Sequence, residues 1–193
     1  MATKSVFILP IILSLAFIPA SRLAAADPGP HVIAVSEKVY LLSGLADAGN
    51  VAFLVAGAGV LVVDSGASPA DGRTIVEKVR SVTDRPIRYL VLTHYHGDHV
   101  FGLQSFPPDT VIIAQQNLPK NMQRDDDEIK DLLEKFPGRI AALKERIAKL
   151  GKKQKNEKTK EEENLKKLEA RYAFYRELQL VRPQITVDRG KMI

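Results

Sequence analysis

Three of the chain's four histidines fall within six positions, in the stretch Thr93-His94-Tyr95-His96-Gly97-Asp98-His99. Imidazole nitrogens combined with a carboxylate oxygen make a borderline donor set suited to zinc. If the backbone stays extended here, side chains at i, i+2 and i+4 share one side. His94, His96 and Asp98 then converge, and His99 follows where the chain turns. Gly97 removes a side chain where the backbone must bend around an ion. A lone histidine on a loop is usually a solvated side chain, and His31, isolated near the mature N-terminus, is given a structural or surface role. Three histidines with an interleaved aspartate, arriving straight after an apolar run, read as a metal site. The chain has no cysteine, which excludes thiolate ligands, disulfides and a cysteine nucleophile within it.

The elements that must carry this cluster are legible around it. Apolar runs 31–35 and 39–44 flank Ser36-Glu37 and read as a hairpin. Runs 50–57 and 60–66 flank Ala58-Gly59 as a second hairpin. Their arms are nearly continuously apolar, which predicts strands covered on both faces. Ser68 is an N-cap candidate with Pro69 at the first helical position. Ile75, Val76, Val79 and Val82 follow at helical spacing, and Asp84-Arg85-Pro86 ends the helix. A buried strand over 87–93 then runs into the histidines, and another occupies 110–115 after Pro107-Pro108. Strands alternating with helices predict an α/β protein, with the cluster at the C-terminal end of a strand, where open α/β sheets place ligands.

Residues 125–180 differ in character. Ile140, Leu143, Ile147 and Leu150 recur at helical spacing, as do Leu165, Leu168, Tyr172 and Tyr175, with a polar stretch between. The pattern predicts an antiparallel helical hairpin with a narrow apolar seam. Phe136-Pro137-Gly138 is expected to break off a shorter helix that starts near Asp125. The hairpin reads first as a solvated spacer packing against itself, and second as an arm for a protein partner. Strand-like text resumes at 184–188, with a turn at Arg189-Gly190.

Formal net charge is +5, but residues 120–180 account for most of the excess. The segment that carries the histidines is close to neutral, so the charge gives no reason to expect nucleic-acid binding there. Residues 1–26 show Lys4, an apolar run to Ala20 and a small-residue Ala24-Ala25-Ala26 site, the tripartite form of a cleaved secretory signal peptide. The run is short for a membrane span and holds Pro10 and Pro19. The expectation is an exported protein, periplasmic or secreted, with no membrane segment after cleavage.

The stretch resembles the His-x-His-x-Asp-His signature of the metallo-β-lactamase superfamily, and its context matches. The run ending Asp64-Ser65-Gly66 resembles that fold's earlier strand, and residues 87–94 resemble the strand that delivers the motif. The resemblance covers about residues 31–118 and the strand restart near Ile185. It implies an α/β fold, the N-terminal half of an αβ/βα sandwich, within one incomplete domain over 27–193. The charged helical hairpin, at about 120–182, is an insertion. It implies His94 and His96 as ligands of a first zinc, Asp98 and His99 as ligands of a second, and buried Asp64 as their support. Iron and manganese also occupy this fold. Thr93 is assigned to the loop turn and not to the metals. Two positions depart from the family pattern: Phe101 stands where a glycine is common, leaving Gly102, and Gln115 stands where close relatives often have histidine.

The resemblance implies a hydrolase using a metal-activated hydroxide, with Asp98 as the catalytic carboxylate orienting it. The small-molecule substrate is a lactam, lactone, thioester or phosphoester. No histidine follows His99, so the ligands of the fold's second half are missing. The expectation is therefore the N-terminal part of a longer protein, inactive by itself. The alternative is a non-catalytic metal-binding or partner-binding periplasmic protein.

Overall fold

The computed structural model describes residues 29–151, 154–188 and 191–192. Residues 1–26, expected to be a signal peptide, and the turn expected at Arg189-Gly190 lie outside the described residues. One mixed sheet runs in chain order: β1 (His31–Ala34), β2 (Val39–Ser43), β3 (Val51–Ala56), β4 (Gly59–Val63), β5 (Ile87–Val91), β6 (Val111–Gln115), β7 (Ile185–Asp188) and β8 (Lys191–Met192). β1 to β4 pair antiparallel, β4 to β7 parallel, and β8 turns back on β7. The protein is α/β, as its alternating pattern predicts.

The crossovers follow from local sequence. α1 (Pro69–Arg80) joins β4 to β5. Ser68 caps it: its Oγ accepts from the Asp71 backbone N–H at 3.1 Å, while Asp71 Oδ2 accepts from Ala67 N–H and Ser68 Oγ–H, each at 3.0 Å. The short α2 (Gly97–Val100) and a 3₁₀ turn (Leu103–Ser105) join β5 to β6. The long crossover to β7 is an arm of two helices, α3 (Leu118–Lys149) and α4 (Lys155–Glu177).

Strand side chains alternate between faces. One face carries Leu42, Val51, Phe53, Val60, Val62, Leu90, Ile112 and Ala114, all buried in one core with Ile75, Val76 and Val79 of α1. The other face includes Ile33, Leu54 and Tyr89, which are 44%, 37% and 45% exposed. The expectation that the second hairpin is covered on both faces therefore fails among the described residues. Its apolar pattern is continuous, but α1 reaches only one side.

The arm also departs from what its local pattern predicts. α3 begins at Leu118 and continues through Pro137, where a break near Phe136 is expected. Proline removes one helical hydrogen bond and costs roughly 3 kcal/mol. Packing offsets this: Phe136 is 1% exposed and lies against Tyr172 and Tyr175 of α4, with ring centroids 5.4 and 6.1 Å apart. The helices run antiparallel, as ion pairs Arg146–Glu161 and Lys144–Glu169 show. Ile140, Leu143, Ile147, Leu165 and Leu168 form the predicted half-buried seam. No helix among the described residues is long and apolar enough to cross a membrane.

Candidate metal centre

The cluster forms where β4 and β5, parallel neighbours, both end. Asp64 follows β4 and is 6% exposed. Its backbone adopts φ +67°, a left-handed conformation that aspartate tolerates better than most residues. That turn aims its carboxylate at the loop after β5. Oδ1 accepts from the Thr93 backbone N–H at 2.9 Å, and the Thr93 hydroxyl lies 3.0 and 2.8 Å from the two oxygens. Oδ2 also lies 2.8 Å from His99 Nδ1. Ser65 adds a second tie, donating from Oγ and N to the His99 carbonyl at 2.8 and 2.9 Å.

These bonds orient the His94 and His99 imidazoles. An ionised carboxylate only accepts, so His99 Nδ1 carries a proton; Nε2, 3.1 Å from the Asp98 carboxylate, offers a lone pair when the ring is neutral, as a metal ligand must be. The Thr93 hydroxyl gives its one proton to Asp64 and must accept from its other neighbour, His94 Nδ1, at 3.0 Å. His94 Nε2 therefore also presents a lone pair.

Those lone pairs face other donors. His94 Nε2 stands 3.2 Å from His96 Nδ1. His99 Nε2 stands 3.1 Å from Asp98 Oδ2. Two ligands bound at about 2.0–2.1 Å to one tetrahedral ion stand about 3.3 Å apart. Both pairs fit that spacing. Ligand atoms of His94, His96 and Asp98 all lie within 4.8 Å of one another, and the His94 and His99 ring centroids are 4.0 Å apart. The donor set and its spacing suit zinc in one or two positions.

The route to this geometry differs from the extended one expected. Extension stops at His96; Asp98 and His99 sit in α2, where one helical turn brings both to the same locale. Gly97 is small for a different reason than bending: a Cβ there would lie 2.4 Å from the Phe101 ring. Gly102 has the stricter demand, since a Cβ would lie 1.8 Å from the Ser65 carbonyl oxygen. Phe101 uses its place to contact Phe174 of α4, centroids 5.9 Å apart. Gln115 ends β6, its side chain accepting from Asn117 N–H at 2.6 Å. His31 Nδ1 lies 2.8 Å from the Gly29 carbonyl, in keeping with a structural role.

Sequence reasoning missed three contributors. Thr93 orients His94 as well as the loop. Gly49, between β2 and β3, lies beside His99: a Cβ there would be 3.7 Å from its Cε1. The arm also reaches the site, which a solvated spacer would not do. A cleft of about 190 Å³ opens beside His96, lined by Tyr95 and Phe101 and by Asp125, Glu128 and Tyr175 of the arm. Burial, and then the neighbouring Glu128 carboxylate, raise the Asp125 pKa above its ordinary value.

Residues 44–115 match the family model of the metallo-beta-lactamase superfamily. A linear primary-alkylsulfatase from Pseudomonas sp. (strain ATCC 19151) is 38% identical over 48 residues, 25% of this chain and 9% of that protein. The beta-lactamase-like protein 2 homolog of Caenorhabditis elegans is 30% identical over 110 residues, 56% of this chain and 32% of that one. Among solved structures, the metallo-beta-lactamase FIM-1 from Pseudomonas aeruginosa in its mono-zinc form superposes with a TM-score of 0.47 at 18% identity, over 52% of this chain and 48% of that one. The match thus spans less than half the length of each of these relatives.

Proposed function

We propose, on the premise that this chain is a member of the metallo-β-lactamase superfamily, that it supplies one half of a dinuclear zinc centre in an exported hydrolase. The observation that carries the reading is the pair of donor spacings, 3.2 and 3.1 Å, with one ring of each pair oriented from behind, His94 by Thr93 and His99 by Asp64. His94 and His96 would hold one ion, and Asp98 and His99 the other. Zinc bound there would supply Lewis acidity and a water acidified toward neutrality.

The chain's own residues do the positioning. Asp98 would orient the attacking water with the carboxylate oxygen not used for the metal, while His94 and His99 stay locked in register by Thr93 and Asp64. The substrate is a small molecule with a hydrolysable lactam, lactone, thioester or phosphoester, and the alkylsulfatase relative adds sulfate esters to that range. Each ion receives two donors from the described residues, whereas a catalytic zinc normally keeps three. In this reading the remaining ligands come from polypeptide outside these 193 residues, and the chain alone does not turn over. Residues 1–26 would direct export and be removed.

Zinc titration against a chromophoric chelator tests the centre. The expected result is weak zinc uptake by the chain, with His96→Ala and His99→Ala each removing a different part of it. Uptake unchanged by both substitutions overturns the centre. Chelator-sensitive hydrolysis by this chain alone would overturn the need for outside ligands. Mass spectrometry of the exported protein should find an N-terminus at about Asp27.

A further inference from the structure

The cleft between the histidine motif and the arm has a chemistry of its own. Tyr95 and Phe101 form one wall, and α3 and α4 bring Asp125, Glu128 and Tyr175 to the other. No lysine or arginine lines it, though the Arg171 guanidinium lies 5.8 Å from the Tyr175 ring centroid and the Arg124 charge acts on Asp125. Asp125 and Glu128 stand three apart on α3 and so share one side of that helix. Their neighbours are engaged elsewhere: Asp126 pairs with Arg182, and Asp127 accepts from the Gln123 amide at 3.3 Å. The side chains of Asp125 and Glu128 make no hydrogen bond or ion pair among the described residues.

Two unpaired carboxylates at the rim of an aromatic recess attract a cation and repel an anion. An aromatic face presented to the cleft would add to the attraction, most strongly for quaternary ammonium groups. At about 190 Å³ the cleft is smaller than the roughly 300 Å³ where sites for drug-sized ligands begin. It suits one head group rather than a whole substrate. Its His96 wall places that group next to the proposed metal centre.

We propose that this cleft is a substrate subsite for a cationic group, so that the preferred substrates carry an ammonium or guanidinium beside the bond that is cleaved. The assignment of a substrate class rests on the hydrolase reading above, but the cleft's preference for cations does not. The arm is then a specificity element, and its root, not its tip, is the functional end.

Three probes of one shape separate the forces: choline, its neutral isostere 3,3-dimethylbutan-1-ol, and the anion 3,3-dimethylbutanoate. Each is titrated into the full chain in EDTA, followed by NMR shifts at Tyr95, Phe101 and Tyr175. Choline should bind about tenfold or more tightly than the alcohol, and the anion should not bind. The double substitution Asp125→Asn/Glu128→Gln, folded by circular dichroism, should remove the difference. Equal binding of choline and the alcohol, choline binding that survives the double substitution, or no choline binding by the folded chain each overturns the subsite. Zinc plays no part in these titrations, so failure here is distinct from failure of the metal centre.

Discussion

Asp64 Oδ2 lies 2.8 Å from His99 Nδ1, across a sequence gap of 35 residues. One buried carboxylate thus orients a metal-ligand candidate while also holding the Thr93 backbone N–H. Asp64→Asn keeps the shape but can donate as well as accept, and it loses the charge that orients the ring. Zinc affinity is expected to fall about 10–100-fold, measured by chelator competition. Asp64→Ala should in addition cost about 1–3 kcal/mol in urea unfolding, because it leaves the Thr93 amide without its acceptor. An unchanged affinity in both variants would remove Asp64 from the site.

Gly102 and Gly138 should respond to alanine in opposite directions. At Gly102 the added methyl would lie 1.8 Å from the Ser65 carbonyl oxygen and 3.0 Å from Gly72 Cα, both backbone atoms that cannot swing aside. Gly102→Ala should destabilise by about 1–3 kcal/mol or more. At Gly138, inside α3, nothing lies within 4 Å. Gly138→Ala should stabilise by about 0.5–1 kcal/mol through the unfolded chain's lost entropy. Differential scanning calorimetry of the two variants reads both signs.

Pro137 sits inside α3 at the cost of one backbone hydrogen bond. Pro137→Ala restores the donor and relieves the ring's clash with the preceding turn. The gain should be about 1–3 kcal/mol, less what proline saves by restricting the unfolded chain. A loss of stability would mean that α3 is shaped around the proline. Phe136→Ala, next door, should cost about 3–5 kcal/mol by emptying the space between α3 and α4.

Asp125 links the arm to pH. Burial and Glu128 raise its pKa above 3.8, so its ionised form is disfavoured in the folded state. A raised carboxylate contributes stability below its unfolded pKa and loses it as pH rises through the folded value. Asp125→Asn does not titrate there. The variant should match the parent near pH 3.5 and exceed it at pH 7, as urea midpoints at both values will read. A stability difference independent of pH would contradict the electrostatic origin.

Much of the fold is legible in the order of the amino acids. The hairpins, α1 with its Ser68–Asp71 cap, and β5 leading into the histidines each follow from short-range pattern, since strand alternation and helix capping are local physics. Local pattern misleads where distant packing decides the outcome. Pro137 marks a break locally, but the rings of Tyr172 and Tyr175, some forty positions away, hold the helix through it. The second hairpin looks covered on both faces because apolar sequence records only an affinity for cover, not which element supplies it.

The same division runs through the site. The sequence alone determined which side chains could bind a metal, because imidazole and carboxylate chemistry belongs to the residues and their spacing keeps them close. Only the tertiary structure decided how the His94 and His99 rings are oriented, since that depends on Asp64 and Thr93 meeting across two parallel strands. It also decided that the arm closes on the motif through Phe101 and Phe174. Hydrogen-bond partners and cavity walls are set by which surfaces meet in three dimensions, and periodicity along one chain does not carry that information.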